Sequence, residues 1–383
     1  PDDVNIPAAS SILNAGVNTQ ILANNSITIE NGGSIDTTLL GGVSGDITLT
    51  APTINVANGG ILNASAVGGG TAGTVSLIAT KGNGGTAQIT VAGEITGGDV
   101  NLIATATAAP LTIIASLPTA DASVVINGGK IVVSGALAVT ATASTAAVAA
   151  SLPVGVVVTN VTAAVDVMGN AIIEAASADL SSSATAVSII ATQSLAPANS
   201  SVDGAVAVST VNSSATTHIG DAAELTITDN VSLSATNTVI SHADAIPIAV
   251  AFGASVAVSV VTATTAATID GMGYISANSL SLDTTTATDI VANASAAAGG
   301  ATAPHAGSEA SNYLNDAKYQ SAASTSEGQV SVVGAFALSD LTSTTTATVN
   351  SGKASDITGI ASINTLTSNT VNVTADGSAL DSD

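Results

Sequence analysis

The stretch AVAVSTVNSSATTHIG at residues 205–220 is the most informative segment of this sequence, because it recurs along the chain. It aligns without gaps on SVAVSVVTATTAATID at 255–270 and on AFALSDLTSTTTATVN at 335–350, and more loosely on GVVVTNVTAAVDVMG at 155–169. The anchors Val156, Val206, Val256 and Phe336 are separated by steps of 50, 50 and 80 residues. A fixed period of this size is typical of a solenoid.

The first half repeats on a shorter scale. The segments GDITL (45–49), GTVSL (73–77) and GDVNL (98–102) recur about every 25–28 residues, and NGG occurs at 31–33, 58–60, 83–85 and 127–129. Each copy predicts a strand that is entered or left through a Gly/Asn turn. On this scale, the 50-residue unit of the second half is predicted to contain two coils.

Apolar residues alternate with period two, as in Ile27/Ile29 and Val371/Val373, and no segment shows a helical stripe. We therefore predict an all-β fold, a right-handed parallel β-helix in the form of an elongated rod. At about 20–25 residues per coil, the rod would contain ~15–19 coils and be ~70–90 Å long.

The aligned copies also predict which side chains face the core. The expected inner set is Val206, Val208, Val211 and Ile219, with Val256, Val258, Val261, Ile269, Phe336, Leu338, Leu341 and Val349 at the matching positions. Ser213, Ala215 and Thr217 are also expected inside. The expected outer set comprises Asn212, Ser214, Thr216 and His218, then Thr262, Thr264, Ala266 and Thr268, and finally Thr342, Thr344, Thr346 and Thr348.

Two regions follow from the repeats. Residues 1–140 form a β-helix with coils of about 25 residues, and residues 141–383 form one with Ala/Val/Thr-rich repeats of about 50 residues. The 80-residue step predicts a loop insertion at about 296–327. Its unusual residues His305, Tyr313 and Tyr319 are candidates for an interaction, although an ordered decoration with no binding role is the alternative.

Composition limits the possible functions. Aromatic residues make up 1% and charged residues 8% of the chain, so small and β-branched side chains must fill a narrow core. The formal net charge of −23, with four lysines and no arginine, disfavours nucleic acid as a partner. The uncharged window at 146–165 has a membrane-like hydropathy, but Pro153 and Gly155 interrupt it, and we predict no membrane span.

No catalytic constellation is apparent. His218, His242 and His305 lie in different units, so we predict that the chain is not an enzyme and has no cofactor. Asp36, Asp46 and Asp99 lie near glycine turns and are weak candidates for Ca²⁺, with solvated turn residues as the alternative. The alternating Thr342, Thr344, Thr346 and Thr348 form a candidate interaction array that could also order water, which raises ice binding as a further hypothesis.

Three segments resemble the repeats of filamentous-haemagglutinin-type large bacterial exoproteins. They are ITIENGGSID (27–36), GDITLTAPTINVANGGILNAS (45–65) and GTVSLIATKG (73–82), and the second half looks like the Ala/Val/Thr-rich repeats of similar giant surface proteins. The resemblance implies a parallel β-helix, export to the cell surface or medium, and a role in adhesion, biofilm cohesion or contact-dependent competition. The Asn-Pro-Asn-Gly type of motif of the family's secretion domain is missing.

The function expected from the sequence is therefore that of a structural and adhesive segment, a stalk or fibre of a secreted or cell-surface protein. Its partners would be a host or neighbouring cell surface, matrix polysaccharide or copies of itself. The alternatives are a self-assembling extracellular filament subunit and, further off, a polysaccharide-active β-helix. Since the chain begins at Pro1 with no signal peptide, we expect a processed product or a piece of a longer protein.

Overall fold

The computed structural model describes residues 1–108, 115–193, 202–246, 252–295 and 332–377. Within these ranges every regular element is a β-strand, and the strands form three sheets in which all neighbours are parallel. The strands are numbered β1 to β28 in chain order. The predicted insertion at 296–327, with His305, Tyr313 and Tyr319, lies outside the described residues.

Sheet A contains β1 (Asp3–Ile6), β4 (Ser26–Ile29), β7 (Thr53–Val56), β10 (Gly85–Val91), β14 (Thr119–Asn127), β17 (Val154–Met168), β20 (Val202–Ile219), β23 (Phe252–Ile269) and β26 (Val332–Val349), with the short β13 (Ala115–Ser116) paired to β17. Sheet B contains β2 (Ser11–Leu13), β5 (Ser34–Asp36), β8 (Ile61–Asn63), β11 (Glu94–Gly97), β15 (Lys130–Val133), β18 (Ile172–Ala175), β21 (Glu224–Ile227), β24 (Tyr274–Ala277) and β27 (Asp356–Ile357). Sheet C contains β3 (Thr19–Leu22), β6 (Ile47–Ala51), β9 (Val75–Lys81), β12 (Val100–Ala108), β16 (Ala136–Leu152), β19 (Ser177–Gln193), β22 (Asn230–Ile246), β25 (Ser279–Ser295) and β28 (Ala361–Asp376).

The chain passes through sheets A, B and C in turn, and each passage places one strand beside the previous strand of the same sheet. We call one passage a coil and number the coils 1 to 9 from the N-terminus. Coils that stack in this way, each adding one strand to each of three parallel sheets, form a parallel β-helix. The predicted fold class is therefore confirmed. The handedness stays a prediction.

The strand register confirms the ungapped alignment of the last three copies but corrects the loose copy at 155–169, since Val154 and not Val156 lies beside Val206. It also corrects the number of coils. Val206 lies beside Val256, and Val256 lies beside Phe336, as the ungapped alignment requires. Because these partners are on adjacent strands, each 50-residue unit is one wide coil and not two narrow ones. At about 4.8 Å per coil, nine coils rise only about 40 Å, so the predicted count and length of the rod were too large.

The coils widen along the chain because sheets A and C grow while sheet B does not. The sheet A strand has 4 residues in coil 1 and 18 in coil 8, and the sheet C strand lengthens from 4 to 17. The sheet B strand has 3 residues in coil 1 and 4 in coil 8. An 18-residue strand is about 60 Å long, so the widest coils extend further across the stack than the stack rises.

Large aliphatic side chains pack where the three sheets meet. Ile27, Ile54, Ile95, Leu102 and Ile275 are among the fully buried residues of one continuous cluster that runs through the coils. Burial of such residues contributes about 25 cal/mol per Å² of apolar surface removed from water. This aliphatic core is the part of the interior that the narrow and wide coils share.

A second interior lies where sheets A and C face each other without sheet B between them. It consists almost entirely of small residues, among them Ala147, Ala207, Ala243, Ala257 and Ala292, all fully buried. We call it the alanine–serine layer. A Cβ atom on Gly155 would lie 2.7 Å from Ile190 Cγ2, which shows how little room the two sheets leave.

The predicted facing was wrong at one end of these strands. Val211 and Ile219 are buried as expected, but Val206 and Val256 are only partly buried and Phe336 is 54% exposed, because they point outward. Side chains alternate between the two faces along an unbroken strand, and β20 pairs with β23 without a register shift. Because Val211 faces inward, the odd-numbered Ala205, Ala207 and Ser209 also face inward. The same correction applies to Val208, Val258 and Leu338.

Buried hydroxyl groups in the alanine–serine layer connect the two sheets. The side-chain oxygens of Ser188, Ser209, Ser241 and Ser259 form a chain in which each successive pair is 2.7 Å apart. The chain alternates between sheets C and A and joins coils 6, 7 and 8. Each hydroxyl thereby obtains the hydrogen-bond partner that a buried polar group requires.

Candidate interaction surfaces

The outer face of sheet A carries an apolar area in coils 6–9. It includes three columns of side chains in register, which we call the valine wall: Val154, Val206, Val256 and Phe336 in the first column, Val156, Val208, Val258 and Leu338 in the second, and Val158, Thr210, Val260 and Asp340 in the third. Phe336, Leu338 and Val154 are 54%, 44% and 45% exposed. Sequence reasoning missed this surface because valine was taken as a marker of the core.

Short polar side chains continue this face toward sheet B. Thr342, Thr344, Thr346 and Thr348 lie on the outer face of β26, each beside its aligned partner Thr262, Thr264, Ala266 or Thr268 on β23. We call these columns, with Asn212, Ser214, Thr216 and His218 on β20, the threonine face. The outward orientation predicted for these residues is confirmed, whereas their part in an interaction stays a prediction.

A charged group joins three coils at the end of the threonine face. His218 Nε2 lies 2.9 Å from Asp270 Oδ1, and His218 Nδ1 lies 3.5 Å from Asp166 Oδ1. Asp166 is the register partner of His218 in coil 6, and Asp270 follows β23 in coil 8. Gly220 leaves room for the imidazole ring, since a Cβ atom there would collide with it.

This arrangement fixes the charge of His218. The hydrogen bond with Asp166, aided by the pairing with Asp270, raises the pKa of His218 to about 9, against the opposing effect of burial. The imidazole is therefore a cation at neutral pH. Two carboxylates hold it on both sides, which indicates a clamp between coils and leaves neither ring nitrogen free to act as a base.

A second polar group lies on the outer face of sheet C and was also missed. His242 and Asp244 are 4% and 2% exposed although they point away from the core. His242 Nε2 lies 3.2 Å from Asp289 Oδ2, and Asn293 donates a hydrogen bond of 2.7 Å to Asp244 Oδ1. Burial raises the pKa of Asp244. His242 Nδ1 and Asp244 Oδ2 have no hydrogen-bond partner in the described part of the chain.

The three carboxylates singled out for Ca²⁺ hold the backbone of turns. Asp36 Oδ1 accepts hydrogen bonds from the backbone and hydroxyl of Thr38. Asp46 Oδ1 accepts one from the Thr74 N–H, and Asp99 Oδ1 accepts one from the Ala136 N–H, each at 2.8 Å and each in the next coil. Within the described ranges, no group of three or more His, Cys, Asp or Glu residues is arranged to hold a metal ion.

Coil 9 presents strand edges at one end of the stack. Its strands have 18, 2 and 16 residues, and in the described ranges they pair only with coil 8. Inner residues of β28 are exposed as a result: Ile363 is 53%, Val371 45% and Val373 49% exposed. The strands of coil 1, at the other end, have 4, 3 and 4 residues.

The described residues were also searched for membrane-spanning helices, and the chain was compared with known proteins. No described segment forms a helix of the length and apolarity needed to cross a membrane. Comparison with known proteins found no matching family model, no matching curated protein and no matching solved structure.

Proposed function

We propose that the chain is a structural and adhesive segment of a secreted or cell-surface fibrous protein of the filamentous-haemagglutinin type. One observation carries the proposal: in coils 6–9, sheet A presents a broad face whose side chains are held in columns by strand register. Such a face suits contact with an extended partner, such as a cell surface or matrix polysaccharide. The sequence segments at 27–36, 45–65 and 73–82 supply the family resemblance.

Contacts between successive coils support a mechanical role. The inner hydroxyls of the alanine–serine layer bond to each other, and His218 and its two aspartates join successive coils. These groups stabilise the stack from coil to coil. A stiff body that carries its binding groups on the outside is what a stalk or fibre segment requires.

Adhesion can be tested with beads coated with the purified chain. We expect the coated beads to bind target cells or matrix polysaccharide more than albumin-coated beads do. A variant with Thr264→Lys and Thr344→Lys changes the threonine face, whereas Thr236→Lys with Thr285→Lys places the same charges on the outer face of sheet C. Binding no greater than that of albumin on every surface tested would contradict the adhesive role.

A filament subunit is the second candidate, and the exposed edges of coil 9 favour it. In the described part of the chain, the outer edges of these strands have no further partner, and such edges are templates for additional strands. Electron microscopy of the chain over a range of concentrations separates the two candidates. Particles of fixed length support the stalk, and fibres that lengthen with concentration support the filament.

A further inference from the structure

The valine wall is an exposed apolar surface on a chain of net charge −23. Ten of its twelve positions are Val, Leu or Phe, and the exceptions are Thr210 and Asp340. With columns about 6.6 Å apart and coils about 4.8 Å apart, the wall covers roughly 400 Å². The largest apolar patch on a typical monomer covers about 300–600 Å² and is often functional.

The surface next to the wall is also free of charge. The three following columns contain Asn160, Asn212, Thr262 and Thr342, then Thr162, Ser214, Thr264 and Thr344, and then Ala164, Thr216, Ala266 and Thr346. Asp340 is therefore the single ionisable residue among all these described outer positions. Together the six columns cover roughly 800 Å², which matches the area that each partner contributes to a standard stable interface.

We propose that two copies of the chain pack against each other through this face, with valine wall against valine wall. A twofold axis brings the same patch of each copy together, so the apolar columns of one copy cover those of the other. Two β-sheets pack face to face about 10 Å apart, with their strands within about 30° of each other. In the resulting dimer, the outer faces of the two A sheets pack against each other, and the two stacks of coils lie side by side.

Charge favours a second copy over a partner attracted by opposite charge. Among the described residues, Asp340 is the one acidic group within the six columns, so contact between these columns buries few charges. Over longer distances the two copies repel each other, and salt screens this repulsion. Association is therefore expected to strengthen as the salt concentration rises.

The matched variants are Thr210→Lys and Thr236→Lys. Thr210 lies in the valine wall on β20, whereas Thr236 lies on the outer face of sheet C on β22, in the same coil. Both variants change the net charge of the chain by the same amount, one positive charge, so only the position of the lysine differs between them. Circular dichroism and the unfolding midpoint check that both variants fold, and Val208→Lys provides a second change in the wall.

Sedimentation equilibrium of the full chain at low and high salt measures the association. We expect a mass twice that of the monomer, and a dissociation constant raised about a hundredfold by Thr210→Lys, because each change enters the twofold interface twice. Thr236→Lys should leave the dissociation constant unchanged. A chain that remains monomeric up to its solubility limit, or a dimer that all three variants affect equally, would overturn the proposal.

Side-by-side pairing goes beyond the proposed function and fails separately from it. A monomeric chain whose coated beads still bind cells would retain the adhesive role and lose only the pairing. Because pairing covers the face of sheet A that adhesion would use, beads that carry the wild-type dimer are compared with beads that carry the Thr210→Lys variant, which is expected to be monomeric. A wild-type dimer with no binding by either kind of bead would retain the pairing and lose the adhesive role.

Discussion

Coils 2–4 and coils 6–8 have the same topology but different interiors. In coils 2–4 the sheet A strands have 4, 4 and 7 residues, and nearly the whole interior is the aliphatic core. In coils 6–8 they have 15, 18 and 18 residues, and the added length encloses the alanine–serine layer. Sheet B has 3 or 4 residues per coil in both regions.

The difference shows how a β-helix widens without a larger core. Where sheet B forms the third side of a coil, it holds sheets A and C apart and leaves space for Ile and Leu. Further away the two sheets stack directly, and mostly small residues such as Ala and Ser lie between them, with Val157 and Ile190 as larger exceptions. A chain with 1% aromatic residues can therefore bury long strands on both faces of a narrow gap.

The largest expected effect comes from placing a charge in the alanine–serine layer. Ala257→Asp buries a carboxylate among the small apolar residues of this layer, and we expect a loss of at least about 3 kcal/mol in the free energy of unfolding, or no folding. Ala266→Asp is the matched control, because Ala266 lies on the outer face of the same strand. Its effect should remain within about 0.5 kcal/mol. Urea unfolding measures both, and similar midpoints would refute the assigned facing.

A smaller effect is expected from the buried serine chain. Ser209→Ala removes the hydroxyl that contacts both Ser188 and Ser241, and leaves buried hydroxyls with fewer partners. We expect a loss of about 1–3 kcal/mol in the free energy of unfolding. Ser214→Ala, on the outer face of the same strand, is the control and should change little. Equal losses for the two variants would show that the chain of hydroxyls does not stabilise the layer.

The smallest effect concerns pH. Because the folded-state pKa of His218 is raised to about 9, its stabilising contribution is complete below pH 6.5 and is lost as the pH rises through 9. His218 is partly exposed, so the contribution is about 1 kcal/mol or less after solvent screening. His218→Asn should flatten the change in unfolding midpoint between pH 6.5 and pH 9.5. A wild-type midpoint that does not fall over this range would contradict the clamp.

Repetition and strand alternation were enough to predict the fold class and the register of the last three wide coils. They also placed Val211, Ile219 and the small inner residues Ser213, Ala215 and Thr217 correctly. They failed at Val206 and Val256, because hydrophobicity favours Val over Ala for the inside, whereas the narrow gap between sheets A and C is filled mostly by Ala and Ser. The coil count failed for a related reason: a short period in the first half does not reveal that later strands lengthen.

The polar groups could not be predicted from sequence spacing alone. His218 and Asp270 are 52 residues apart, and they meet because successive coils lie side by side. The loose copy at 155–169 was anchored two residues out, since Val206 pairs with Val154 and not with Val156. A step of 52 residues places Asp166 beside His218, and the predicted step of 50 does not.

The central claim is that sheets A and C stack directly on small inner residues, and single cysteines test it best because the chain has none. Ala146 and Ala147 are neighbours on β16, where Ala147 is fully buried in the alanine–serine layer and Ala146 points outward. We predict rapid maleimide labelling of folded Ala146→Cys and strong protection of Ala147→Cys, with equal labelling of both after unfolding in urea. Equal labelling of the two folded variants, or protection of the outward one, would contradict the account.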